Sequence, residues 1–154
     1  MARGQVVCIC IGPIARTPMQ EVDEVFAEAG NGLVGDRYYD GHGSYNRAKP
    51  GKRQLTLMNA LFFQGSEFRF ADSRRNIFTT GVELMDLIGR DFHIGDVLLR
   101  GTKYCDPCRI PSDLAKIKTN FREAFFDRGG LVAEILESGI IRVGDAVRPP
   151  KKDY

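Results

Sequence analysis

Two cysteines with two residues between them, Cys105 and Cys108, carry the most distinctive chemistry of the 154-residue sequence. Pro107 lacks an amide hydrogen and has a fixed φ angle, so the chain must leave a regular strand at this point. The positive charge of Arg109 favours a thiolate at Cys108, whereas the negative charge of Asp106 opposes one at Cys105. Because the thiolate is the form that binds metals and attacks electrophiles, Cys108 is the candidate ligand.

Three kinds of site are consistent with this pair. A structural zinc site needs a second pair of ligands, and Cys8 and Cys10, one residue apart in an apolar run, are poorly spaced for a four-sulfur tetrahedron. A redox dithiol needs its first cysteine exposed at the start of a helix, and Pro111 argues against that arrangement. The third alternative is that Cys108 alone is the thiolate ligand of a soft metal centre that brings its own organic ligand.

Arginines beside glycine or asparagine recur at three places where strands are predicted to begin or end. A bulky anionic cofactor needs such cations and backbone donors, and the rigid fork of arginine suits phosphate and planar heterocycles. The polar stretch at residues 40–52 is predicted to be a mobile surface loop. The charged run that it forms with Arg53 is also typical of a solvated face. The candidates for gripping a cofactor are Arg37, Arg74, Arg75, Asn76, Arg128 and Gly129.

The elements that position these residues are predicted to be mainly strands. Residues 5–12 form an apolar, β-branched run that predicts a strand buried on both faces, with Cys8, Cys10 and Val6 on one face. We therefore expect Cys8 and Cys10 to be core residues and neither to bind metal. Further strands are predicted at residues 21–29, 53–58 and 131–137.

Two segments share the layout of short strand, Gly-Asp and short strand, one around Gly95 and one around Gly144. Glycine at the first position of a two-residue loop favours a type II′ hairpin, and two such hairpins predict a sheet that folds back on itself as a barrel. Short helices are predicted after Asn59, at residues 83–88, and after Ser112 over residues 113–118. A phenylalanine stripe in residues 120–127 predicts a further helix that packs on the core.

The bulk composition indicates one soluble domain over residues 1–154, with a core at about 5–148 and a frayed tail at 149–154. The net charge of +2 is too small to argue for a nucleic-acid partner. No apolar run approaches the roughly 18 residues of a membrane span. Four cysteines without a secretory signal indicate reduced thiols and a cytoplasmic location.

Six short motifs occur in order along the chain and together resemble the MOSC domain, the C-terminal domain of molybdenum cofactor sulfurases that is also found as stand-alone proteins. The resemblance covers residues 5–148, and the ordered set is far more specific than any one motif. The motifs are Gly35-Asp36-Arg37, Ser73-Arg74-Arg75-Asn76-Ile77, Gly95-Asp96-Val97-Leu98, Cys105-Asp106-Pro107-Cys108, Arg128-Gly129-Gly130-Leu131 and Ile141-Arg142-Val143-Gly144-Asp145.

The resemblance implies a mainly β fold with a few short helices, a closed or partly closed barrel like that of pyruvate kinase, which binds a molybdenum–pterin cofactor (molybdopterin). It places the sulfur ligand of molybdenum, and hence the catalytic position, on Cys108. Some relatives reduce N-hydroxylated small molecules, and others are thought to carry the cofactor or its sulfur. Because the chain has no iron–sulfur domain, a reductase would need a separate electron-donor protein. The alternative is a non-enzymatic zinc or thiol-redox module that uses Cys105 and Cys108.

Overall fold

The computed structural model describes residues 4–39 and 53–150, and these residues form a mainly β structure. Its two α-helices are short, and three 3-10 helices occupy Ala60–Phe63, Phe70–Ser73 and Leu84–Leu87. The strands and α-helices are β1 (Gly4–Ile11), β2 (Gln20–Val22), β3 (Glu24–Glu28), β4 (Gly32–Leu33), β5 (Leu55–Asn59), β6 (Ile77–Thr80), β7 (Asp91–Ile94), β8 (Val97–Tyr104), α1 (Ile110–Ala115), α2 (Phe121–Ala124), β9 (Leu131–Glu137), β10 (Gly139–Arg142) and β11 (Ala146–Arg148).

Seven of the strands within the described residues close into a barrel, which confirms the predicted fold class. The order around the barrel is β1, β11, β7, β8, β9, β5 and β6, and β6 pairs with β1 again. Neighbouring strands are antiparallel except β5 and β6, which are parallel. β2 extends the sheet beyond β1, and β3, β4 and β10 form a separate three-stranded sheet.

Two apolar clusters lie on opposite faces of the barrel wall, because side chains alternate along a strand. Leu57 and Ile77 belong to the larger cluster, together with residues of almost every barrel strand. Their neighbours Met58 and Phe78 belong to the second cluster, with Phe63 and Phe125 from the helical segments. Rings of Phe63 and Phe78 meet edge to face with centroids 5.7 Å apart, so aromatic packing attaches the helical layer to the barrel.

The first strand confirms the predicted burial of Cys8 and Cys10, which are 7% and 0% exposed. The prediction that Val6 shares their face is wrong, because Val6 belongs to the larger cluster and the two cysteines to the second. The pairing of β1 with β6 shifts register between Val6 and Cys8. Such a bulge inserts one residue into the strand and reverses the alternation on either side of it.

One of the two predicted hairpins is present. Ile94 pairs with Val97, so Gly95, with a φ of +55°, and Asp96 form a two-residue loop between β7 and β8. The prediction of the second hairpin is wrong, because β10 and β11 do not pair with each other. β10 pairs with β3, and β11 pairs with β1 and β7. The turn between them is instead fixed by Val143, whose amide donates to the carbonyl of Asp23 at 3.0 Å and so sends the two strands to different sheets.

The helical region also differs from prediction. α1 begins at Ile110, two residues before Ser112, and Pro111 occupies its first turn. Ser112 therefore does not cap this helix; its hydroxyl accepts from the amide of Phe121 at 2.7 Å and fixes the start of α2. Phe121 and Phe125 are buried as predicted, but Phe126 is 72% exposed.

The remaining elements follow the predictions closely. The strand at 131–137 has the predicted bounds, residues 21–29 contain two strands, and Asn59 accepts a hydrogen bond from the amide of Leu61. The predicted mobile loop at 40–52 and residues 151–154 of the predicted frayed tail lie outside the described residues. Among the helices at 4–39 and 53–150, none is long and apolar enough to cross a membrane.

Candidate functional site

A cleft that we call the arginine cleft lies where three connecting segments meet. These segments follow β4, precede β6 and follow β8. The empty volume of the cleft is about 390 Å³, part of which is open to solvent. Among the described residues, its lining has five arginines, one thiol and no acidic side chain, so its charge suits an anion. The lining residues are Arg16, Arg37, Tyr38, Arg53, Ser73, Arg74, Arg75, Cys108, Ile110 and Pro111.

Arg37 is held by the buried carboxylate of Asp36. One carboxylate oxygen, Oδ1, accepts from Nη1 of Arg37 at 3.2 Å, from the amide of Gly12 at 2.8 Å and from Nδ2 of Asn76 at 3.2 Å. Nη2 of Arg37 donates to the hydroxyl of Tyr38, and the guanidinium carbon lies 4.3 Å from the centre of that ring. These contacts fix Arg37 in one orientation.

Arg74 is a buried cation with incomplete pairing. Its Nη1 atom donates to the carbonyl of Thr17, but its buried Nη2 atom has no hydrogen-bond partner among residues 4–39 and 53–150. Burial and the neighbouring charge of Arg37 lower the pKa of Arg74 to about 10. A bound anion would satisfy the unpaired donor and offset both effects.

Arg75, in contrast, donates hydrogen bonds to backbone carbonyl groups from all three nitrogens of its guanidinium. Nε donates to the carbonyl of Gly129 at 2.8 Å, Nη2 to that of Asp106 at 3.1 Å and Nη1 to that of Ser73 at 3.5 Å. The guanidinium thus connects the segment before β6 to residues 105–108, which we call the cysteine loop, and to the segment before β9. Arg75 lines the cleft, and its larger effect is to hold these three segments together.

Position 129 requires glycine because the backbone of the cysteine loop packs directly against it. A Cβ atom at this position would lie 2.0 Å from the carbonyl oxygen of Cys105 and 2.8 Å from Cδ of Pro107, so only glycine fits. Its amide donates to the hydroxyl of Tyr104, and its carbonyl accepts from Arg75. Gly129 therefore shapes the cysteine loop through its backbone.

Asn76 is completely buried, and both ends of its side-chain amide form hydrogen bonds within the protein. Nδ2 donates to the carbonyl of Cys10 and to Asp36, while Oδ1 accepts from the amide and the hydroxyl of Thr56. The asparagine thus joins β1, β5 and the Asp36 turn behind the cleft. In this arrangement it supports Arg37 indirectly and has no donor left for a ligand.

The structure does not bring Arg128 to the arginine cleft. Its side chain is exposed, and its guanidinium carbon lies 4.9 Å from the centre of the Phe62 ring. A cation placed over an aromatic face is a common surface interaction. The predicted role of Arg128 in gripping a cofactor has no support from this placement.

The two thiols of the loop have different surroundings. Cys108 is partly exposed and lines the arginine cleft; it also borders a second depression beside Tyr104, Arg109 and Phe126. Cys105 is 0% exposed. Its sulfur lies 3.7 Å from Nη1 of Arg53, as a weak acceptor. Cys108 is thus the accessible thiol of the pair.

This difference bears on the alternatives for the pair. A redox dithiol needs an exposed first cysteine, and Cys105 is buried. A zinc site needs further ligands, and in the described part of the chain neither thiol belongs to a group of three or more histidine, cysteine or acidic ligands. A single accessible thiol beside cations is the alternative that the geometry favours.

Two of the five lining arginines were not among the predicted candidates. Arg16, with a φ of +64°, lies in the turn between β1 and β2, and Arg53 lies at the end of the charged run that also suggested a solvated loop. Neither shares a motif with the other arginines. Only the closure of the barrel brings them together, so no periodicity in the sequence identifies them.

The comparisons with known proteins agree with this architecture. The family model described as the MOSC domain matches residues 50–148. The chain belongs to the MOSC domain family. That family is associated with molybdenum cofactor binding. No curated protein matches the chain.

Solved structures of MOSC-like fold superpose on nearly the whole chain. YuaD from Bacillus subtilis has a TM-score of 0.77 at 16% identity, covering 95% of this chain and 94% of its own. YiiM from Escherichia coli has a TM-score of 0.64 at 17% identity, covering 99% of this chain and 72% of its own. YiiM from Geobacillus stearothermophilus has a TM-score of 0.69 at 14% identity, covering 96% and 75%. At these identities the similarity establishes the fold alone.

Proposed function

We propose that the arginine cleft binds a molybdenum–pterin cofactor, with Cys108 as the sulfur ligand of the metal. The observation that carries this proposal is that one cleft, as lined by residues 4–39 and 53–150, combines an accessible thiol with five arginines and no acidic side chain. A soft sulfur donor suits the metal, and guanidinium groups suit the phosphate and the planar ring system of the pterin. The membership of the MOSC family supports the same assignment.

The unpaired donor of Arg74 is the feature that fits this group best. A buried N–H without a partner costs free energy, and a phosphate oxygen would satisfy it. Arg16 and Arg53 add positive charge to the same cleft. Arg37 and Arg75 contribute charge and hold the cleft in shape. Behind the cleft, Asn76 acts through its side-chain hydrogen bonds and Gly129 through its backbone.

In the proposed reaction, the cofactor and the protein make different contributions. When bound, the cofactor supplies redox chemistry that removes oxygen from an N–OH group, and the protein supplies binding, orientation and electrostatics. In this proposal the chain is either a reductase of N-hydroxylated small molecules or a carrier of the cofactor or its sulfur. A reductase would take electrons from a separate donor protein. A cytoplasmic location, expected from the reduced thiols, belongs to the same proposal.

The test begins with protein expressed in a host that makes the cofactor. Molybdenum and released pterin, measured on the purified protein, should occur in a one-to-one ratio and decrease together in Arg74→Met. The loaded protein is then given a hydroxylamine-type substrate and a chemical electron donor. Turnover identifies a reductase, and loading without turnover identifies a carrier. Protein that retains neither molybdenum nor pterin from such a host would contradict the proposal.

The alternative of a zinc or thiol-redox module is separable by the same analysis. It predicts zinc without pterin, or a disulfide that forms reversibly between Cys105 and Cys108. The burial of Cys105 argues against the disulfide, and in the described part of the chain no further ligands accompany the pair to complete a zinc site.

A further inference from the structure

A second group of metal-ligating side chains lies on the β1–β2 pair, and none of its members lines the arginine cleft. Cys10 and Glu21 are paired across the two strands, so their side chains lie on the same face, and Cys8 is two residues along β1 from Cys10. The ligand atoms of these three residues all lie within 4.8 Å of one another. Among residues 4–39 and 53–150, no other group of three such ligands comes together.

The sulfur–sulfur separation matches the one that a tetrahedral zinc ion requires. The two sulfurs are 3.8 Å apart, and ligands at a Zn–S distance of about 2.3 Å are separated by about 3.8 Å in a tetrahedron. Sγ of Cys8 lies 3.1 Å from Oε1 of Glu21, somewhat closer than the roughly 3.6 Å of a bound pair. Because Glu21 is exposed, its carboxylate has room to make that adjustment.

Without a metal, Sγ of Cys8 donates a hydrogen bond to the carboxylate of Glu21. The sequence predicts that neither thiol binds metal, because their neighbours along β1 are apolar. Glu21 comes from another strand and supplies the polar ligand that this prediction lacks.

We propose that Cys8, Cys10 and Glu21 bind a divalent cation of the zinc class, with water at the fourth position. Two thiolates and a carboxylate are a donor set that zinc accepts, and one exposed ligand gives the ion a route in. The ion would join the short edge strand β2 to β1. The segment between these strands carries Arg16 and Thr17, so it would also hold one wall of the arginine cleft. The proposal does not depend on what the cleft binds.

Zinc titration of the full-length protein under a phosphine reductant tests this site. The Cys108→Ser variant is the host protein, because it lacks the accessible thiol of the other pair. We expect one zinc per chain. Since thiols must be deprotonated to bind zinc, we also expect about two protons released per ion, counted in weakly buffered solution. Co²⁺ as a probe should give a thiolate charge-transfer absorption band.

Substitutions at the three ligands then locate the ion. Cys8→Ser or Cys10→Ser should abolish the Co²⁺ charge-transfer signature of a two-sulfur site, and Glu21→Gln should weaken zinc binding at least tenfold. Glu24→Gln, an exposed residue on the next strand, is the matched control and should bind zinc like the host protein.

The proposal is wrong if the host protein binds no zinc, if it releases one proton or none, or if Glu21→Gln binds zinc as tightly as Glu24→Gln. Should the buried cysteine variants fail to fold, the proton count and the two glutamate variants decide the question alone. A failed cofactor assignment would leave this result unchanged, because the zinc titration involves no residue of the arginine cleft apart from the substituted Cys108.

Discussion

Arg37 donates a hydrogen bond from Nη2 to the backbone carbonyl oxygen of Arg74 at 3.2 Å. The first arginine, which is paired with Asp36, therefore positions the second, which forms no salt bridge with any carboxylate in the described part of the chain. The buried carboxylate of Asp36 pairs directly with Arg37 and offsets the charge of Arg74 only from a distance. A cation in this state is suited to an anionic ligand and is costly without one.

The first prediction separates the stability of the protein from its binding of anions. Arg74→Met removes a buried charge and one hydrogen bond to Thr17, and the free energy of unfolding of the ligand-free protein should rise by up to about 3 kcal/mol. The same change should lower the retention of cofactor at least tenfold. Denaturant unfolding and pterin release measure the two effects.

Arg90→Met is the control for this experiment. Arg90 is exposed, so its substitution removes an equal charge without relieving burial. Its stability and cofactor retention should stay close to those of the wild type. A large loss of stability in Arg74→Met, with cofactor retention unchanged, would show that this arginine supports the fold instead of the ligand.

The second prediction concerns pH and follows from the lowered pKa of Arg74, about 10 against 12.5 for an ordinary arginine. Below pH 10 the arginine is charged in both the folded and the unfolded chain, so the full cost of burying the charge is present. Between the two pKa values the unfolded chain binds more protons, and stability due to this group rises with pH. The stability difference between Arg74→Met and wild type should therefore narrow by about 1.4 kcal/mol from pH 8 to pH 11.

Paired unfolding experiments at each pH measure this difference, because the other titrating groups are common to both proteins. Anion affinity of the wild type should fall over the same range as Arg74 loses its proton. A stability difference that stays constant up to pH 11 would mean that the guanidinium remains charged, and that its burial is compensated in some other way.

The third prediction distinguishes Arg75 from Arg74. Arg75→Met leaves the carbonyls of Gly129, Asp106 and Ser73 without their donor, so the free energy of unfolding should fall by about 3 kcal/mol. Arg75→Lys keeps the charge but loses the fork geometry and should recover only part of the loss. If Arg75→Met is as stable as wild type, the three segments are held together by other contacts.

The sequence predicts the barrel well because its strands carry local signals. Residues 131–137 lie between the turn signals Gly129-Gly130 and Ser138-Gly139, and both strand bounds agree with the structure. The errors arise where partners come from far along the chain. The turn at Gly144 has the same sequence layout as the one at Gly95. The amide of Val143, however, donates a hydrogen bond to the carbonyl of Asp23, and no residue near Val143 in the sequence predicts that contact.

The site is predicted in part for the same reason. Arg37, Arg74 and Cys108 belong to recognisable motifs, and the structure brings them to one cleft. Motif membership does not say which way a side chain points, so Asn76 and Arg128 are equally plausible cofactor-binding residues from the sequence. In the structure, Asn76 forms its hydrogen bonds inside the protein, and Arg128 lies over the ring of Phe62.

The last prediction compares the two thiols of the cysteine loop under matched substitution. Cys108 is partly exposed in the arginine cleft, whereas Cys105 is buried and its sulfur faces Nη1 of Arg53. Cys108→Ser should lose most of the bound molybdenum, because a hydroxyl is a far poorer ligand for a soft metal than a thiolate. Its fold should remain intact, since the replaced sulfur contributes little to the core.

Cys105→Ser should behave in the opposite way. Burying a hydroxyl at this position costs desolvation free energy, so the free energy of unfolding of the variant should fall by about 1–3 kcal/mol. The folded fraction should keep its metal. Molybdenum per folded chain and the unfolding midpoint, measured on both variants, decide between the roles. Equal loss of metal in the two would mean that the thiols act as a pair, as zinc ligands or as a dithiol, and the single-ligand assignment of Cys108 would be wrong.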